Sequence, residues 1–256
     1  MPFLHKYQEY NFGNGFQTHN SILDTVPYEP EVIFIGTYNH GWSWNHSDFF
    51  YGRGMYMWTV LGNLFLHGHN HLINQRTINH NEPTFAQLFE ICKIGKIAFA
   101  DIVKGISDDI SSEEQPQNKR VIVNGYSWET YKDGPLDHMG AKGWLDDNVP
   151  AIINFINATH SIKQVYFTFK SGNWVVNKLN DICKGIRTEV SCWSLFTPTA
   201  NGFGSNLQKP FQERSWGLTH CWVWNGLNHS YPIYRPSYGH LDHDWLIDKG
   251  VNPMNF

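Results

Sequence analysis

Hydrophobic positions along the chain switch repeatedly between a two-sided apolar run and a three-to-four spacing. Val32 to Ile35 form a continuous apolar run that stops at Gly36, as a strand covered on both faces by helices should. A polar and aromatic loop follows to Gly54, and from Met55 the period changes. Met57, Trp58, Leu61, Leu64 and Phe65 share one helical face, which predicts a helix over residues 55–66. The pattern then recurs. Phe85, Leu88 and Phe89 have helical spacing, and Ile97 to Val103 read as a second buried strand. Val149, Ile152, Ile153 and Ile156 make an amphipathic stripe, with Asn148 as its cap and Pro150 tolerated in the first turn. Gln164 to Phe169 predict a third strand, the spacing of Val175, Val176, Leu179, Ile182 and Cys183 another helix, and Val190 to Phe196 a fourth strand. Alternating strands and helices predict an α/β fold, with a parallel sheet between two helical layers.

Elsewhere the periodicity fails. Residues 1–29 read as an arm wrapping the core, and residues 105–145 as loop, with Ile110 to Arg120 the least structured part. The tail from His220 reads as an extension packed back on the domain. No repeat or linker divides the chain, so one domain is expected over 1–256: a core over about 30–205, the arm 1–29 and an extension 206–256.

Composition narrows the class. Hydrophobic residues make up 41% and charged residues 16%, which excludes disorder, and 11 Trp suggest aromatic-lined surfaces. No segment approaches the roughly 18 apolar residues of a membrane helix, and the N-terminal stretch shows no basic leader or apolar core. A cytoplasmic protein without membrane contact is expected. The four cysteines are scattered and read as buried free thiols. A net charge of −4 argues against a broad nucleic-acid footprint while leaving room for a small one around a pocket.

In open α/β sheets ligands bind beyond the carboxyl ends of the strands. The loop Gly36 to Gly54 should therefore form a pocket floor and the loop after Phe196 a second wall, with Asp101 near the end of its strand facing the same crevice. Two His-rich stretches invite a metal: His67, His69 and His71 alternate, and His240, Asp242, His243 and Asp244 cluster near the C-terminus. The first has no acidic or cysteine residue nearby to complete a ligand set, the second could bind a metal, and solvated or structural roles are the simpler reading of both, so no metal or other cofactor is expected.

The motifs at the two strand ends resemble those of the uracil-DNA glycosylase superfamily, nearest its mismatch-specific and hypoxanthine/uracil branch. The first is Gly36-Thr37-Tyr38-Asn39-His40-Gly41, followed by Phe49-Phe50-Tyr51 and by Met57-Trp58 before Leu61. The second is Leu195-Phe196-Thr197-Pro198-Thr199 with Ala200-Asn201. The resemblance covers roughly residues 30–205 and implies a three-layer α/β/α sandwich with a four-stranded parallel sheet. It also implies a monomer that hydrolyses the N-glycosidic bond of a damaged or mismatched base, flipped out of DNA into an aromatic pocket, without a cofactor.

The resemblance assigns Phe50 to stack on the base, with Tyr51 or Phe49 next, and places Gly36, Thr37, Tyr38, Thr168, Lys170 and Ser171 around it. Thr197, Thr199 and Asn201 would meet the DNA backbone, and Phe203 would act as a wedge in the base stack. The family's water-positioning Asp or Asn is replaced here by Tyr38, its following Pro by Asn39, and the Asn used by another branch by Met55. Leu195 stands where classical uracil enzymes have His. Asn39, His40 and Asp48, in that order, are the candidates to position water instead. Two other readings stand beside hydrolysis: a degenerate relative that binds a base, nucleotide or DNA without cutting, and a His-based metal hydrolase.

Overall fold

A computed structural model of the chain describes residues 4–66, 83–129, 133–170, 172–198, 214–225 and 237–256. In chain order the elements are strands β1 (Tyr10–Gly13), β2 (Phe16–His19), β3 (Ile22–Thr25) and β4 (Val32–Gly36), then helices α1 (Tyr56–Phe65) and α2 (Phe85–Gly95). Strands β5 (Ile97–Asp101), β6 (Val103–Ile106), β7 (Ser112–Gln115), β8 (Arg120–Val123) and β9 (Tyr126–Glu129) follow. Then come α3 (Asp133–Ala141), β10 (Leu145–Asp147), α4 (Val149–Ala158), β11 (Gln164–Phe167), α5 (Asn173–Gly185), β12 (Ser191–Ser194), α6 (Arg214–Trp224) and α7 (His243–Asp248).

The main sheet among the described residues has seven strands in the order β1-β2-β3-β5-β4-β11-β12. β5, β4, β11 and β12 run parallel, and β1, β2 and β3 join antiparallel through Ile22 opposite Ala100. The sheet is thus mixed and wider than four strands: the N-terminal arm is not a wrapping but a meander built into it. Its hairpin signals are local. Asn14-Gly15 and Asn20-Ser21 hold positive φ at both turn positions, the geometry of two-residue hairpin loops.

The fully buried parallel strands divide their side chains between two cores by simple alternation. Val32 and Phe34, Ile97 and Phe99, and Tyr166 join α1, α2, α6 and α7. Ile33 and Ile35, Ala98 and Ala100, Val165 and Phe167 join α3, α4 and α5 on the other face. Helices cover both faces of an α/β fold, as the apolar runs predict. Each buried Ile, Val or Phe contributes roughly 1.5–3 kcal/mol of burial, which is why these runs dominate local choice. Helix α2 starts where Thr84 and Gln87 form a capping box. Asn148 precedes α4 but its side chain does not cap it; its amide donates to the Asn20 carbonyl, tying the β2–β3 turn to the start of α4.

Residues 105–145 are not loop. β7, β8 and β9 form an antiparallel meander, β6 pairs with β10, and α3 packs beside α5. Asn124-Gly125, with φ of 45° and 78°, turns β8 into β9. The Val121/Val123 alternation buries that hairpin's inner face together with Trp128. The polar residues of 110–120 are its solvent side. Cys92 and Cys221 are buried free thiols as expected, whereas Cys183 is exposed on α5 and Cys192 half-buried on the edge strand β12. No helix among the described residues is long and apolar enough to cross a membrane.

Candidate active site

A cavity of about 450 Å³ opens at the carboxyl ends of the parallel strands, where the loop after β4 was expected to form a floor. Thr37, Tyr38, Asn39, His40 and Asp48 from that loop line it, as do Tyr51, Thr168 and Thr197. Asp101 closes the end of β5, and Trp128 reaches in from the β8–β9 hairpin.

Asp101 is the polar centre. Its side chain is only 2% exposed, and its Oδ2 accepts from Asn39 Nδ2 at 2.7 Å and from His5 Nε2 at 2.7 Å. The Tyr7 amide donates to His5 Nδ1 at 3.0 Å, so the imidazole proton sits on Nε2 and points at the carboxylate. Both donors take Oδ2. Oδ1 lies against Gly36: a Cβ built there would come within 2.3 Å of Oδ1 and 2.8 Å of the Tyr51 hydroxyl, so the two oxygens converge on one point. Glycine at 36 is what lets them approach. Both side-chain hydrogen bonds thus fall on one carboxylate oxygen, and the other faces Gly36.

Asn39 is oriented by the same contact. With Nδ2 donating to Asp101, its side-chain oxygen is left as an acceptor at the cavity lining. Tyr51 holds φ of 63°, a costly backbone for a bulky residue, and its hydroxyl pairs with Thr168 Oγ1 at 2.8 Å. Thr168 Oγ1 in turn bonds the Ile35 carbonyl at 3.2 Å. This chain fixes the Tyr51 ring at the mouth of the first motif.

His40 is buried, stacked on Trp42 with ring centroids 4.4 Å apart. Burial, then the nearby Lys6 and His5, depress its imidazole to about 3, so it is a neutral group at physiological pH. Tyr38 stacks on Trp128 at 6.0 Å and 17°, and burial raises its phenol well above the ordinary value. The two rings form an apolar wall.

The remaining expectations land unevenly. Phe50 is wholly buried and does not line the cavity; it stacks on Phe99 and packs against Tyr7. The left-handed turn at Tyr51 sends Tyr51 to the cavity and leaves Phe50 and Phe49 in the core, so neither phenylalanine can meet a ligand in the cavity. Asp48 lines the cavity but is committed to Arg53, whose Nε lies 2.5 Å from its Oδ2. Lys170 points away from the cavity to the Ser237 carbonyl and sits over the Tyr238 ring. Tyr56 and Trp58 serve packing, Trp58 donating to the Phe50 carbonyl at 2.8 Å. Ser171, Thr199, Asn201, Phe203 and the His67–His71 stretch lie outside the described residues.

Near the C-terminus, Asp242 caps α7, His243 Nε2 bonds the Val223 carbonyl and His240 bonds the Leu241 carbonyl. Among the described residues no three His, Cys, Asp or Glu are grouped to hold a metal ion. No family model, curated protein or solved structure matches the chain.

The part that sequence reasoning missed is the N-terminal segment. Leu4 to Tyr7 run beside the first motif, with Lys6 N donating to the Asn39 carbonyl at 2.7 Å and Gly41 N to the Leu4 carbonyl at 3.1 Å. Lys6 Nζ bonds the Asn45 carbonyl at 2.7 Å and also the Ser47 carbonyl; Tyr7 OH reaches Ser47 O at 2.6 Å. Burial lowers the Lys6 ammonium, with Asp48 opposing. Polar residues spaced through a short aromatic arm gave no period to read.

Proposed function

We propose that the chain hydrolyses the N-glycosidic bond of a deaminated or mismatched base presented by DNA, using Asp101 to position the water. The observation that carries this is the buried Asp101 carboxylate at the carboxyl end of the parallel strands, with one oxygen held by two neutral donors and the other beside Gly36 and Tyr51. Water can donate one proton to Asp101 Oδ1 and the other to the Asn39 carbonyl, leaving a lone pair for the sugar carbon. As the bond from C1′ to the base nitrogen breaks, its electron pair leaves with the base and cationic character builds on the sugar. A fixed carboxylate stabilises that charge. The water oxygen bonds to C1′ and its proton passes to Asp101.

Support also comes from the motifs. The Gly36–Gly41 and Leu195–Thr199 stretches that resemble the uracil-DNA glycosylase superfamily both reach the same cavity, through Thr37 to His40 and through Thr197 and Pro198. Four parallel strands between helical layers fit the family's sandwich, with the N-terminal meander as this chain's addition. In this reading Asp101 takes over, from the neighbouring strand, the role lost at Tyr38 and Met55. The Tyr38–Trp128 wall supplies the apolar surface for a flipped base. A flipped base costs a few kcal/mol to extrude, and that wall returns part of it.

The test is direct. Duplexes carrying a single uracil or hypoxanthine, incubated with pure protein and treated with alkali, should be nicked. Strands left intact across a panel of deaminated, mismatched and alkylated bases would reject hydrolysis. One observation favours a second reading, binding without cleavage: the family's water-positioning place is taken by Tyr38, an aromatic ring stacked on Trp128. Tight binding of an abasic duplex, unchanged in Asp101→Asn and without turnover in either protein, would select it.

A further inference from the structure

The cavity is completed by a segment far from it in sequence. We infer that His5 is a positioning residue for Asp101, and that the N-terminal segment Leu4–Tyr7 is thereby part of the active site; this rests on the hydrolytic reading above. His5 is fully buried on its side chain and sits 2.7 Å from Asp101 Oδ2. Its tautomer is set from behind by the Tyr7 amide at 3.0 Å, so Nε2–H is a fixed donor with one target. The backbone holds the ring in place: His5 N donates to the Lys104 carbonyl at 2.6 Å, and His5 bridges His40 in an antiparallel pairing. The segment is anchored on two sides, to strand β6 just after Asp101 and to the 39–47 loop.

The chemistry explains why an imidazole stands there. A carboxylate that positions water needs a fixed plane, since each oxygen's lone pairs lie in it. Asn39 alone gives one contact to Oδ2 and leaves the carboxylate free to swing about that bond. The second donor, from the N-terminal segment, removes that freedom. A neutral donor does this without taking the charge that the sugar cation needs, whereas a Lys or Arg there would pair with the carboxylate and compete for it. His5 touches no reacting atom. Its effect passes through Asp101, and a carboxylate displaced by about 1 Å costs on the order of 10²-fold in rate.

Four full-length proteins test this: wild type, His5→Ala, His5→Gln and Asp101→Asn. On the uracil or hypoxanthine duplex, His5→Ala should lose on the order of 10²-fold in kcat with KM within a few-fold. His5→Gln, whose amide can still donate to Asp101, should recover most of that loss. Equal loss in the Ala and Gln variants, tracking their melting temperatures, would reduce His5 to a packing role and overturn the inference. So would a His5→Ala enzyme as fast as wild type. A second readout needs no turnover. In 15N-histidine spectra, the signals absent from His5→Gln should show protonated Nε2 and bare Nδ1, and should shift in Asp101→Asn. A doubly protonated ring or protonated Nδ1 at neutral pH overturns the pairing. An idle wild type that still shows the Nε2–H tautomer and its response to Asp101→Asn overturns hydrolysis and upholds the pairing.

Discussion

Asp48 and Asp101 face the same cavity from two differently built regions. Asp48 belongs to the loop between β4 and α1, its side chain 35% exposed and bonded to Arg53, a residue five positions on. Asp101 ends a strand buried on both faces, is 2% exposed, and is held by neutral groups 62 and 96 residues away. A cation beside a half-exposed carboxylate neutralises it locally; such a pair is worth about 0–1 kcal/mol and ties up the charge. Neutral donors around a buried carboxylate fix it and leave the charge intact. Chemistry that needs a bare, aimed negative oxygen belongs to the second arrangement, even though the first is nearer the motif that resembles a glycosylase.

The sharpest way to break this comparison is to neutralise each in turn. Asp101→Asn should lower turnover on a uracil or hypoxanthine duplex by about 10²–10⁴-fold, the usual contribution of a positioned base, with binding of an abasic duplex retained. Asp48→Asn should stay within a few-fold, and its stability, read by denaturant melts, should change by under about 1 kcal/mol. The reverse order of effects would transfer the chemistry to Asp48.

A smaller but more pointed change is Gly36→Ala. The new methyl would sit 2.3 Å from Asp101 Oδ1 and 2.8 Å from the Tyr51 hydroxyl, while Asp48 does not approach that point. Pushing the carboxylate aside should cost on the order of 10²-fold in kcat. Overpacking should cost about 1–3 kcal/mol in stability. An active Gly36→Ala enzyme would show that Oδ1 has no part in the reaction.

The imidazole beside Asp101 is that of His5; a second histidine, His40, lines the same cavity with its imidazole depressed to about 3. Its native value lies below the unfolded value near 6.5, so between these the unfolded chain holds a proton that the native one lacks. Stability should therefore fall as pH drops from about 6.5 toward 3, and His40→Gln should flatten that part of the curve in thermal melts. A wild type and variant with parallel curves would mean that His40 titrates normally and can charge next to the site.

How much of this was legible follows the range of the interactions. The strand-turn-helix unit from Val32 to Phe65 announces itself because strand and helix periods are local, and its place at the sheet's carboxyl end follows from topology. Asp101 could be read as facing the crevice, but not as its chief carboxylate, because His5 and Asn39 come from distant parts of the chain. Phe50 was misplaced because three consecutive aromatics do not reveal which one a left-handed turn will send outward. The β7–β9 meander has a local signal, since Asn124-Gly125 between alternating apolar positions is a hairpin turn, and it carries Trp128 to the cavity. Polar content in 110–120 masked it.

The mildest substitution asks whether the Asp48 side of the cavity can be given the group it lacks. Met55 is the N-cap of α1, with extended backbone and no side-chain cap, and it lines the cavity. Asn at that place would satisfy an orphan amide of the first turn and gain about 0.5–1 kcal/mol. Against that stands the partial loss of Met55 burial. The net should be a rise in melting temperature of no more than about 2–4 °C. It would also bring an amide to the position where one branch of the resembling family keeps its water-positioning Asn. If Asp101 already holds the water, Met55→Asn leaves turnover within a few-fold, and the double variant with Asp101→Asn stays as slow as Asp101→Asn alone. Recovery of turnover in the double variant would instead show that the cavity accepts water from either side, and that the difference between its two carboxylates is one of occupancy and not of architecture.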